Sequence, residues 1–219
     1  MFLHKPLNKI ELTRIDSPDG RKYLTPEGKH YESVTTWLGR IKDDTWIKEW
    51  KDRVGEKEAD KITKRASNRG TRLHESVERY INNESVDIAE MHMFDKILFK
   101  PFTKVLDEHV NHIKALEYKL YSNTLKLAGT VDCVAEFDNV LSIIDFKTSK
   151  NKKDKEDIDS YFLQTSIYSY MIEELYGIKI DKLVIIMSLD YEGKVQIFEE
   201  SRRRWSKKLV SLIKTYPPK

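Results

Sequence analysis

The chain has 219 residues, 39% of them hydrophobic and 34% charged, with a net charge of only +3. That length supports a sizeable core, the balanced charge makes any basic surface local, and no apolar run approaches a membrane span. A lone cysteine, Cys133, excludes an internal disulfide and any iron–sulfur cluster built from the chain's own residues, and it fits a reducing compartment.

Residues 1–33 read as extended and turn-rich. Ser17-Pro18-Asp19-Gly20 and Thr25-Pro26-Glu27-Gly28 are turn signals that predict a small hairpin. The opening residues lack a signal peptide's apolar core and carry too many acids for a transit peptide, which predicts a cytoplasmic protein. Ser33 is placed to cap a helix through Trp37. Trp46 and Trp50 then fall four apart on one helical face, a spacing that favours packing over base stacking. From about Ala59 to Asn82 the pattern is helical, and His74 shares a face with Gly70, Val77 and Glu78. A second helical stretch is expected from Ile88 to about Asn111, interrupted at Pro101. Residues 1–111 therefore read as a hairpin and an N-terminal helical extension, and 112–219 as an α/β core, together one compact domain.

His112 to Ser122 reads as the first core strand. Alternation puts Leu116, Tyr118 and Leu120 on one face and Ala115, Glu117 and Lys119 on the other. Two further strands follow, Thr130 to Phe137 and Leu141 to Lys147, joined at Asp138-Asn139, two residues that tolerate the positive φ of a tight hairpin loop. With that loop, Val134 faces Ile143, Asp132 faces Asp145 and Thr130 faces Lys147. Two carboxylates then stand roughly 4.5–5.5 Å apart at Cβ on an apolar surface, at a cost that a shared proton, a cation or a metal must offset. Converging oxygen ligands with an open side suit Mg²⁺ or Mn²⁺. A structural Asp–Lys pair in an ordinary hairpin is the other reading, and a one-residue slip of register would separate the acids.

The lysine-rich run after Lys147 is either solvated or in contact with phosphate. A helix from about Ile158 to Tyr176, closed by Gly177, puts Tyr161, Gln164 and Tyr168 on one stripe. Strands at Lys182–Leu189 and Lys194–Glu199 and a basic helix from Ser201 to Lys214 complete a mixed central sheet flanked by helices. No G-x-x-x-x-G-K-[ST] loop is present, so no nucleotide cofactor is expected.

An Asp on one strand followed by Asp-x-Lys on the next resembles the core of the PD-(D/E)xK nuclease superfamily. Gly129-Thr-Val-Asp132, then Ile144-Asp-Phe-Lys147, then Gln164-x-x-x-Tyr168, preceded by Gly70-Thr-x-x-His74, is similar to the RecB-type exonuclease branch, and within it to the mitochondrial genome maintenance exonucleases and their short phage-encoded relatives. Gly-Thr-Val-Asp stands in place of Pro-Asp, and Asp145 stands where Glu is more usual. The resemblance implies a metal-dependent DNA exonuclease in a bacterial or phage setting. It implies Mg²⁺ or Mn²⁺ on His74, Asp132, Asp145 and the Phe146 carbonyl, Lys147 as the catalytic lysine and Glu117 as an outer acid. It further implies DNA contacts, on a single strand with a free end, at Tyr161, Gln164, Tyr168, Thr148, Ser149, Arg69 and Arg72, with Thr35 and Thr36 joined through a weaker N-terminal match. Two rivals remain at this stage: an endonuclease of the same superfamily, and a silent DNA-binding or recombination-partner module.

Overall fold

A computed structural model describes residues 1–42, 45–190 and 192–219. Two turns build its first elements. The Ser17–Gly20 turn, with Gly20 at φ +112°, joins β1 (Thr13–Ser17) to β2 (Gly20–Leu24), and the second turn joins β2 to β3 (His30–Ser33). The chain thus opens on an antiparallel three-strand meander, and the expected N-terminal helical extension is corrected: helices come only after it. The reason is local, since paired turn signals close short ladders at once.

Ser33 caps α1 (Val34–Ile41), its hydroxyl accepting from the Thr36 N–H at 3.0 Å. Next come α2 (Thr45–Val54), α3 (Glu56–Ile81) and α4 (Met93–His109). The Trp46 side chain, and with it the expected Trp46–Trp50 face, lies outside the described residues. Helix α4 begins later than Ile88 and runs through Pro101 without interruption. Leu98, Phe99, Phe102 and Leu106 are all buried along it, and that tertiary packing outweighs the single lost backbone bond.

The core strands are β4 (Val110–Ser122), β5 (Leu127–Phe137), β6 (Val140–Ser149), β7 (Lys182–Leu189) and β8 (Lys194–Ser201). A 3-10 turn leads into α5 (Asp159–Tyr176), which Gly177 ends at φ +68°, and α6 (Arg202–Thr215) starts from a Ser201 cap. All eight strands form one mixed sheet in the order β1-β2-β3-β5-β6-β7-β8, with β4 paired to β5 off that path. One face is covered by α1, α5 and α6, through Trp37, Phe162, Ile167 and Trp205. The other is covered by α3 and α4, through Leu73, Val77, Phe99 and Phe102. Among the described residues no helix is long and apolar enough to cross a membrane.

The sheet's most consequential feature is the shared edge of β5. On one edge, β4 runs beside it from Leu127 to Phe137. On the other, β3 pairs in parallel at Leu127 and Ala128, while β6 pairs antiparallel from Cys133 to Phe137. Gly129 to Asp132 lie between the two partners on that edge, and a cleft opens there.

Candidate active site

The hairpin between β5 and β6 forms as its loop dictates. Asp138 and Asn139 take φ +52° and +60°, and pairs run from Phe137–Val140 to Cys133–Ile144. There the ladder stops. The expected Asp132–Asp145 and Thr130–Lys147 pairs do not form, and this corrects the sequence register at its functional end. Beyond Ile144, β6 stays paired only on its other edge, where β7 runs beside it from Ser142 through Ser149. The Asp132 carboxylate fills the break by accepting the Phe146 N–H at 2.8 Å.

Side-chain alternation changes phase at the same level. Val131 and Val134 pack into one core layer, whereas Cys133 and Ala135 pack into the other. On β4, Ala115, Tyr118 and Leu120 share the first layer and Leu116 joins the second, so the strict alternation expected for this strand fails at Glu117. Glu117 takes φ +45°, a left-handed conformation uncommon for a non-glycine residue and concentrated at functional sites. Both strands therefore change phase where they present Glu117 and Asp132.

His74 arrives from α3 on the opposite wall. Its Nε2 lies 2.7 Å from the Phe146 carbonyl, an acceptor, so Nε2 carries the proton. Its Nδ1 faces Glu117 Oε1 at 3.6 Å and Asp132 Oδ2 at 3.7 Å. One ligand atom from each of His74, Glu117 and Asp132 lies within 4.8 Å of the others. Burial alone would lower the His74 pKa, but the nearby carboxylates of Glu117 and Asp132 outweigh it and hold the imidazole at about 9.

Asp145 is 1% exposed. Its Oδ1 accepts from the Gln164 amide at 2.9 Å, and its Oδ2 is ion-paired with the Lys147 ammonium. Burial, reinforced by the charge of Asp132, pushes its carboxyl up to about 7 against the opposing pull of Lys147. Burial acts on Lys147 in the opposite direction and would lower it, yet Asp145 and Asp132 raise it above the ordinary lysine value, so it stays charged. The Lys147 ammonium sits over the Tyr161 ring, 5.1 Å from its centre. The structural Asp–Lys pair foreseen as a rival reading is thus present, but within a larger cluster of acids.

Gln164 and Tyr168 both line a cavity of about 430 Å³ with Asp132 and Lys147. Tyr168 is buried beneath Gly129, where an added Cβ would fall 2.7 Å from its hydroxyl. Of the residues expected to meet phosphate, Arg69 is ion-paired with Asp190 and Arg72 is held by Asp95 at 2.8 and 3.1 Å. The Thr148 hydroxyl approaches Gly70 on α3, and the Ser149 hydroxyl donates to the Asn151 carbonyl. Thr35 lines the cavity, while the Thr36 hydroxyl accepts the Arg21 N–H. Arg14, Arg21 and Tyr23 also line it; Tyr23 opens the weaker N-terminal match, but sequence reasoning passed over the two arginines. The signal was available: with a turn at Ser17–Gly20, alternation puts Arg14 and Asp16 on one face, opposite Tyr23 and Arg21.

Residues 44–214 match the PD-(D/E)XK nuclease superfamily. The chain belongs to that superfamily. Over 112 residues it is 29% identical to human mitochondrial genome maintenance exonuclease 1, a match that covers 49% of the chain and 32% of that relative. The chain thus spans about a third of that relative's length. A solved structure titled "Crystal structure of SSO0001" covers 82% of the chain and is itself 84% covered, at 12% identity and a TM-score of 0.35, too slight a likeness to bear on the site.

The nuclease superfamily typically uses a divalent metal, and the residues present fit one. An imidazole and two carboxylates converge at Glu117, Asp132 and His74, and a buried, crowded third acid, Asp145, stands beside them. Such oxygen donors with one imidazole suit Mg²⁺ or Mn²⁺.

Proposed function

We propose that this PD-(D/E)XK nuclease is a metal-dependent DNA exonuclease acting on single-stranded ends. The observation that carries the reading is the convergence of His74, Glu117, Asp132, Asp145 and Lys147 at the one stretch of β5 left open between β3 and β6. Asp132, with His74 and Glu117, would hold Mg²⁺ or Mn²⁺, with Asp145 and the Phe146 carbonyl as neighbouring oxygen donors. The ion, when bound, supplies a water of lowered pKa and stabilises charge on the phosphate.

The chain's own residues do the rest. Gln164 fixes the Asp145 carboxylate, leaving Oδ2 toward Lys147. Lys147 stays protonated because two acids surround it, and a fixed cation there stabilises negative charge developing on phosphate. Phe146 holds its N–H on Asp132 and its carbonyl on His74, so the backbone of one residue couples both walls. None of these groups reads base edges, so little sequence preference is expected. Residues 1–111 contribute His74 and the β3 strand, and residues 112–219 the acids, so we read the chain as one functional unit in a cytoplasmic, bacterial or phage setting. The name of the human relative supports an exonuclease rather than another member activity.

The test is cleavage of end-labelled linear and closed circular single-stranded DNA with Mg²⁺, with Mn²⁺ and with EDTA, wild type beside Lys147→Ala. Metal-dependent loss of the linear form alone, abolished in the variant, is the expected result. Cutting of the circle would make the protein an endonuclease. Binding without cleavage by the wild type would make it a silent module.

A further inference from the structure

A polyanion bound in this cleft lies against acids. Asp132, Asp145 and Glu117 line or underlie it, Lys147 is engaged by Asp145, and Arg69 and Arg72 are paired with Asp190 and Asp95. Approach of phosphates therefore needs other cations. The N-terminal hairpin supplies them. Arg14 and Arg21 line the same cavity, and both lean on one exposed acid, Asp16, at 2.8 and 3.2 Å. Two guanidinium groups against one carboxylate leave a net positive charge at the cleft mouth.

The hairpin is held in place. Tyr23, on the same face as Arg21, is buried with its hydroxyl 3.3 Å from that of Thr130 in the open stretch of β5. The Arg21 N–H donates to the Thr36 hydroxyl at 3.1 Å, and Gly20 packs so closely that a Cβ there would lie 2.5 Å from Thr36 Cγ2. Thr36 therefore fixes the hairpin. The family match begins at residue 44 and leaves this wall out.

Resting on the nuclease reading above, we infer that Arg14 and Arg21 form a phosphate clamp, taking the backbone of the DNA strand on the side of the cleft opposite α3, with Asp16 moderating its strength. Arginine suits this through its fixed fork of donors. The contact is to phosphate, so it sets affinity and register without reading sequence.

The test is fluorescence anisotropy of a labelled thymidine oligonucleotide with the full chain in EDTA, over a salt series. Arg14→Ala/Arg21→Ala is compared with wild type and with Lys207→Ala/Lys214→Ala on α6. The hairpin pair should weaken binding about ten-fold at low salt and reduce the log–log salt slope by roughly 1.4, the value for two single-strand phosphate contacts. Asp16→Asn, which frees the guanidinium groups, should tighten binding. Hairpin variants that bind as wild type does, an equal loss from the α6 pair, or a loss with Asp16→Asn would each overturn the clamp while leaving the nuclease reading intact. A wild type that neither binds nor cleaves DNA would remove both.

Discussion

The Asp132 carboxylate accepts the backbone N–H of Phe146 at 2.8 Å, at the level where the β5–β6 ladder stops. One side chain thus substitutes for a strand partner and stands within reach of His74 and Glu117. Structural and chemical roles are therefore separable at this residue. Asp132→Asn keeps an acceptor for Phe146 but loses the charge, so it should fold with a melting temperature near wild type and lose metal-dependent cleavage. Asp132→Ala leaves a buried N–H unsatisfied and should cost a further ~1–3 kcal/mol of stability. Calorimetry beside a cleavage assay reads both. Equal melting temperatures for the two variants would refute the structural role.

Metal binding should depend on pH in a direction the site dictates. In the metal-free protein Asp145 is raised to about 7 and His74 to about 9. Both folded values exceed the unfolded ones. Their stabilising contributions are complete below the unfolded values and are lost as pH rises, through about 7 for Asp145 and about 9 for His74. A divalent cation favours the deprotonated forms instead. The rise in melting temperature produced by Mg²⁺ should therefore be small near pH 6 and grow toward pH 9. A rise independent of pH would mean that these groups do not meet the ion.

Gly129 tests the packing beneath the cleft. An added methyl would lie 2.7 Å from the Tyr168 hydroxyl, and that ring is buried with little freedom to withdraw. Gly129→Ala should destabilise by ~1–3 kcal/mol, the usual cost of overpacking. Adding Tyr168→Phe removes the closest atom and should recover part of the loss. Denaturant titrations of the single and double variants measure this, and additive losses would show that the two positions are not in contact.

These residues also mark how far the sequence could be read. The Asp138-Asn139 turn, the pairs as far as Cys133–Ile144, the Ser33 cap and the Gly177 stop are local matters of φ, capping and alternation, and all were legible. The break at Asp132 was not, because β6 shares that edge of β5 with β3, a strand from far along the chain. Glu117 could be flagged as an acid on the right strand, but its φ of +45° and the phase change around it have no sequence signature. Pro101 misled for the same reason: tertiary burial of Phe99 and Phe102 overrides a local helix breaker. Arg69 and Arg72 looked available for phosphate only because Asp190 and Asp95 are distant in sequence.

Lys147 decides between a structural ion pair and a catalytic cation. Lys147→Met removes the charge beside the buried Asp145, whose carboxyl then keeps the upward push of burial and of Asp132 without its main counterweight. Asp145 should hold its proton at neutral pH, so the variant should fold near pH 6 and lose stability more steeply than wild type as pH rises. If Lys147 also stabilises charge on the phosphate, cleavage per folded molecule should fall about 10²–10³-fold even at the pH where the variant is stable. Lys147→Arg keeps the ion pair with Asp145 but moves the charge and changes its shape, so it should restore stability without restoring the rate. If Lys147→Met cleaved at close to the wild-type rate once folded, the lysine would be only the partner of Asp145, and the chemistry would rest on the acids and His74 alone.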